Sequence, residues 1–196
     1  MWGSVGLFAA FLVAVADDYR RGEWRTYQSR FTALALEKKQ DPVARKMIRS
    51  RGFEIQQIQV TRLGRVDRCM TCHQGVLDPA FADAPQPYRT HPGDILKTHP
   101  PEKFGCTVCH HGQGLATQVK AAHGDVRYWD QPMLRKPYLE ATCAKCHMNP
   151  HEIGGTETWQ AGVKHFRDLG CIGCHAVDGF GGKISVELGE IADKPV

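Results

Sequence analysis

Every cysteine in this chain belongs to a C-x-x-C pair, and every pair is followed directly by histidine. The four runs are Cys69-Met-Thr-Cys72-His73, Cys106-Thr-Val-Cys109-His110, Cys143-Ala-Lys-Cys146-His147 and Cys171-Ile-Gly-Cys174-His175. No cysteine is left over for a long-range disulfide or a nucleophile. Around these runs, 20 glycines and 11 prolines in 196 residues favour turns over long regular elements. A small, loop-rich chain with a thin apolar core needs covalent or metal staples to hold its fold. The eight cysteines and ten histidines are the residues suited to supply them.

Two thiols separated by two residues, with histidine next in line, form the attachment pattern for a c-type haem. The two intervening residues let the backbone curl so that both sulfurs reach the two vinyl groups of one porphyrin. The adjacent histidine then lies under the ring as the proximal iron ligand. Zinc ribbons and thioredoxin-like redox sites also use C-x-x-C, but neither needs histidine after every pair. The expectation is therefore four covalent haems c, held by Cys69, Cys72, Cys106, Cys109, Cys143, Cys146, Cys171 and Cys174. His73, His110, His147 and His175 would be the proximal ligands. The formal charge of +4 identifies no partner. Arg45, Lys46, Arg49 and Arg51 read as a solvated helix face, and the propionates of four haems would add about eight negative charges. No nucleic-acid partner is expected.

The chain divides into four stretches. Residues 1–16 are almost wholly apolar and end at Asp17-Asp18 and Arg20-Arg21. A signal peptide cleaved after Ala14-Val15-Ala16 is one reading. The favoured one is a membrane anchor, the end of a transmembrane helix. Residues 17–66 form a helical linker, with Trp24, Tyr27, Phe31 and Leu34 on one face of a helix over residues 17–40. Trp24 and Tyr27 suit either an interfacial aromatic belt or a packing stripe. Asp41-Pro42 opens a second helix, as N-cap and N1 proline, running to Arg51. Phe53, Ile55, Ile58 and Val60 suggest a short extended passage into the first motif. Residues 67–150 form a three-haem domain, whose first cysteines Cys69, Cys106 and Cys143 are evenly spaced. Proline-rich passages at residues 84–87 and 99–101 exclude long helices there. The fold class is mostly α with extensive loops: an N-terminal membrane-anchor helix, then a multihaem domain with little regular structure and haems forming much of the core.

Six histidines lie outside the motifs. A low-potential haem takes a second imidazole, and His91, His99 and His123 are the expected distal ligands. His91 and His99 lie in proline-bounded segments that fix the backbone, and His123 precedes Gly124, where backbone can approach a porphyrin closely. His111, His151 and His165 are weaker candidates. Met133 would be the candidate thioether, because Met148 follows a proximal histidine too closely to return to the same iron.

Residues 151–196 differ. Phe166, the fourth motif and Gly179-Phe-Gly-Gly182 resemble the opening of a class I cytochrome c domain, in which a helix precedes the motif and a distant methionine is the sixth ligand. No methionine follows His175, so this module reads as incomplete.

The apolar N-terminus and four motifs resemble the NapC/NirT family of membrane-anchored tetrahaem quinol dehydrogenases, although here a long stretch from Asp17 to Arg68 separates anchor from first haem. Glu23-Trp24-Arg25-Thr26-Tyr27-Gln28, Asp67-Arg68-Cys69 and Phe104-Gly105-Cys106-Thr107-Val108-Cys109-His110 are more similar to multihaem subunits of bacterial quinol-oxidising or cytochrome bc-type complexes. That resemblance implies electron transfer on the periplasmic side of the bacterial inner membrane, without independent catalysis. The implied donors are a cytochrome b or another quinol-oxidising membrane protein, with an iron–sulfur protein as a further candidate, and the implied acceptor is a soluble cytochrome or another complex. The alternative is a haem enzyme reducing a small molecule such as nitrite at one five-coordinate iron.

Overall fold

The computed structural model describes residues 2–189. Helix α1 (Trp2–Arg21) carries Arg20 and Arg21 in its last turn, where they complement the helix dipole, and Arg21 pairs with Asp17 at 2.7 Å. Val5, Leu7, Phe8, Phe11, Leu12, Val13 and Val15 are all exposed along it. The expected transmembrane anchor is not supported. Among the described residues no helix is long and apolar enough to cross a membrane. From Trp2 to Ala16 the rise of 1.5 Å per residue gives about 22 Å, against the ~30 Å of a hydrocarbon core. The last turns of α1 carry charge instead, and α1 runs across the expected boundary at residues 16–17.

A break at Gly22 replaces the single helix expected over residues 17–40, and α2 (Glu23–Lys38) follows. Its buried face is Trp24, Gln28, Phe31 and Ala35, one i, i+4, i+7 stripe. Tyr27 and Leu34 flank that stripe and pack at the edge of the core. Trp24 is only 5% exposed, so it is a packing residue and not part of an interfacial belt. Arg25 lies over Tyr19 at 4.2 Å and Trp24 at 4.8 Å, and so joins the end of α1 to the start of α2.

Helix α3 (Pro42–Ser50) starts where Asp41 accepts a 2.7 Å hydrogen bond from the Ala44 N–H. Strands β1 (Ile58–Val60) and β2 (Arg65–Asp67) pair antiparallel, with Gly64 in the left-handed region closing the turn between them. The apolar core is small. Phe31 and Ala35 of α2 meet Phe81, Ala84 and Tyr88 from the loop after the first motif, with Phe31 and Phe81 ring centroids 4.8 Å apart.

Beyond Asp67 the elements are short: α4 (Ile95–Thr98), α5 (Pro101–Phe104), α6 (Thr107–His110), α7 (Val119–Ala122) and a run of 3₁₀ turns over Lys136–Lys145. Helix α8 (Glu157–Asp168) leads into the fourth motif, after which β3 (Ala176–Val177) and β4 (Phe180–Gly181) form a small hairpin.

Candidate haem sites

All four cysteine runs adopt one backbone shape. In each, the second cysteine N–H bonds the first cysteine carbonyl: Cys72 to Cys69 at 3.1 Å, Cys109 to Cys106 at 3.2 Å, Cys146 to Cys143 at 3.1 Å and Cys174 to Cys171 at 3.2 Å. The following histidine N–H reaches the same carbonyl, from His73, His110, His147 and His175, at 2.9–3.0 Å. None of the eight cysteines is disulfide-bonded.

Three of the four motif histidines face a second imidazole from a distant part of the chain. His73 and His123 have ring centroids 6.4 Å apart, His110 and His91 6.1 Å, and His147 and His99 6.1 Å. Imidazole–metal bonds are about 2 Å, so two imidazoles on opposite sides of one iron have centroids roughly 6 Å apart. The three pairs have that spacing. Among the described residues no group of three or more His, Cys, Asp or Glu side chains converges on one point. The arrangement is of facing pairs, the spacing of two axial imidazoles on one metal.

The connections interlace. The loop after the first motif supplies His91 to the second motif and His99 to the third. The loop after the second motif returns with His123 to the first. His91 is fixed by its N–H to the Val76 carbonyl at 2.9 Å, and its Nδ1 lies 2.9 Å from the Pro92 carbonyl. Nδ1–H donating there leaves the Nε2 lone pair for a metal. His123 ends α7, its N–H bonded to the Val119 carbonyl at 2.9 Å.

Burial pushes the His73 imidazole below its ordinary pKa, as do the neighbouring His123 and His110, against a hydrogen bond to the Pro87 carbonyl. Burial also lowers His110, with His91 adding to it. Both effects favour the neutral, metal-binding form. The Cys69 thiol is pushed far up by its contact with the Cys106 thiol and by burial, and burial pushes Cys72 up to about 11. Asp67, two residues before Cys69, accepts from the Cys106 N–H at 2.7 Å, which ties the first motif to the second. Lys145 of the third motif donates to the Val108 carbonyl of the second at 3.2 Å, which ties sites two and three.

The weaker histidine candidates lie elsewhere. His111 points its Nε2 at Lys145 Nζ, 2.7 Å away, and burial followed by that ammonium group keeps its pKa low. His151 and His165 are exposed. Met148 is 92% exposed, and Met133 lines an open cavity of about 980 Å³ beside His123.

At the fourth motif, His175 Nδ1 bonds the Val186 carbonyl at 2.8 Å. The segment after it folds back over the motif through Gly182 N–H to Ile172 O at 2.7 Å and Ser185 N–H to Cys174 O at 2.9 Å. A Cβ at Gly182 would lie 2.2 Å from the Gly173 carbonyl, so the close return requires glycine. No second imidazole faces His175 among the described residues.

Three positioning residues carried no signal in the spacing. Gln28 of α2 donates to Glu54 O at 2.6 Å and Thr71 O at 3.0 Å, and accepts from Glu54 N–H at 3.1 Å. Glu23 accepts from the Val119 N–H of α7 at 2.8 Å. Helix α2 therefore holds both the His73 side and the His123 side of the first site. Glu140 caps α8, accepting from Thr158 N–H at 2.6 Å and Trp159 N–H at 3.0 Å, and so joins the fourth module to the third motif.

No protein-family model matches the sequence, and neither a curated protein nor a solved structure is detectably similar.

Proposed function

We propose that the chain is a multihaem c-type cytochrome that binds four haems covalently and relays electrons outside the cytoplasm. The observation that carries this reading is the set of three facing imidazole pairs, each combining a histidine after a C-x-x-C run with one far away in sequence. Bound haem supplies a one-electron iron couple. The chain's part is to supply two thioethers per porphyrin and to fix each axial imidazole. It would also fill both axial positions of three irons and arrange the motifs in the order one, two, three. Asp67 bonded to Cys106, and Lys145 bonded to Val108, support that order.

Covalent haem attachment takes place outside the cytoplasm, so the domain works on the periplasmic face of a bacterial inner membrane. A quinol-oxidising membrane partner, such as a cytochrome b or an iron–sulfur protein, donates electrons, and a soluble cytochrome or another complex receives them. A second reading rests on His175, which meets no facing imidazole among the described residues: an open fourth iron would reduce a small ligand such as nitrite.

Expression in a host with c-type maturation tests the proposal. The expected product has a mass increment of four haems and a low-spin spectrum dominated by bis-histidine iron. A product without covalent haem, or with zinc in its place, overturns it.

A further inference from the structure

Asp67 is the most deeply buried charged side chain among the described residues, at 1% exposure. It ends β2, two residues before Cys69, and one of its oxygens accepts from the N–H groups of Cys106 at 2.7 Å and Thr107 at 3.2 Å. The other lies 3.7 Å from Cys69 Sγ. The carboxylate thus sits between the first and second motifs, against a cysteine of each. Two glycines leave it room: a Cβ at Gly105 would lie 2.0 Å from one carboxylate oxygen, and one at Gly114 would lie 2.6 Å from the other. The nearest guanidinium in sequence, Arg68, is directed elsewhere, to Gln57 and the Leu115 carbonyl, both at 2.9 Å. Asp67 makes no ion pair among the described residues.

We infer that Asp67 is a tuning residue that holds the reduction potentials of the first two haems below that of the third. The inference rests on the cytochrome reading above. Adding an electron beside a fixed negative charge in a water-poor setting is unfavourable, and the effect falls with distance. Asp67 lies against Cys69 and the Cys106 N–H and so would adjoin the attachment edges of haems one and two, whereas the third motif meets the second through Lys145 and Val108. All three of these sites have the same pair of axial imidazoles, so ligand type does not separate their potentials. The carboxylate also sets the approach of the two motifs, because it ties the backbone at Cys106 to the residue pair before Cys69.

The test compares wild type with Asp67→Asn in the full, matured chain. Asparagine keeps the shape and an acceptor oxygen for Cys106 and Thr107 but removes the charge. Haem content by mass comes first: a wild-type chain without covalent haem overturns both this inference and the cytochrome reading. With four haems in both proteins, potentiometric titration should show two midpoint potentials rising and the other two unmoved. No shift, or an equal shift of all four, overturns the role of Asp67 and leaves the cytochrome reading intact. If Asp67→Asn fails to mature, the wild-type potentials decide, assigned to individual haems by paramagnetic NMR. Haems one and two must lie below haem three, and the reverse order overturns the inference.

Discussion

His91 leaves the loop that follows the first motif and faces His110 of the second, with ring centroids 6.1 Å apart and planes crossed at 75°. Crossed imidazole planes raise neither of the iron dπ orbitals preferentially, so a ferric haem held here should give a strongly anisotropic low-spin EPR signal. His91→Ala should convert that one haem to a high-spin or water-ligated form and leave the other signals in place. In a chain already lacking the second attachment site, through Cys106→Ala and Cys109→Ala, His91→Ala should add nothing further. A residual effect in that background would mean that His91 serves a different iron.

Gln28 is 3% exposed and holds Glu54 and Thr71 with both ends of its amide. Gln28→Leu keeps the volume but leaves backbone groups of Glu54 and Thr71 without partners in a buried place. The expected cost is about 2 kcal/mol of stability, read as a lower denaturation midpoint of the matured protein. Thr71 lies inside the first motif, so the first haem should also show the largest spectral change. An unchanged midpoint would remove Gln28 as the clamp between α2 and that motif.

Glu140 has a pKa below the usual glutamate range, chiefly through the hydrogen bond from the Trp159 N–H, with Thr158 adding to it. A carboxyl group lowered on folding contributes stability that is present above its unfolded pKa and is lost as pH falls through its folded pKa. Amide protection at Thr158 and Trp159 should therefore persist on acidification through the normal glutamate range and collapse below it. In Glu140→Gln the protection should be weaker and flat across the same window. Equal profiles for the two proteins would show that α8 is held by other contacts.

The four attachment runs were legible because their chemistry is local: thiol, two residues, thiol, histidine, closed in one turn. His91, His99 and His123 were also singled out by their prolines and glycine, and the structure brings each against a motif histidine. Their pairing was not legible. It depends on how two loops cross, which is set by contacts such as His91 to Val76 and Glu23 to Val119. On α2 the periodicity places Trp24 and Phe31 on the buried face, where they lie, but assigns Tyr27 and Leu34 the places that Gln28 and Ala35 take. Gln28 takes a buried place by bonding backbone, which an apolar periodicity does not register. The N-terminal apolar run suggests an anchor, but among the described residues no helix is long and apolar enough to cross a membrane. Asp67 was visible only as one residue of a resemblance, since nothing local announces a carboxylate that bonds Cys106 from across the fold.

Carbon monoxide binding separates a closed relay from an open site. Three irons would each have two imidazoles fixed by separate backbone anchors, leaving no free position on the reduced protein. The His175 site is different, because its imidazole is oriented by the Val186 carbonyl and no second ring faces it among the described residues. The reduced chain should therefore bind at most one carbon monoxide, and His123→Ala should raise the count by one through the first haem. Glu23→Ala should produce a slower, partial version of the same change, because Glu23 holds the start of α7 and α7 carries His123 at its end. Binding of two or more molecules by the wild-type chain would show that the imidazole pairs do not close their irons, and would favour ligand reduction over electron relay.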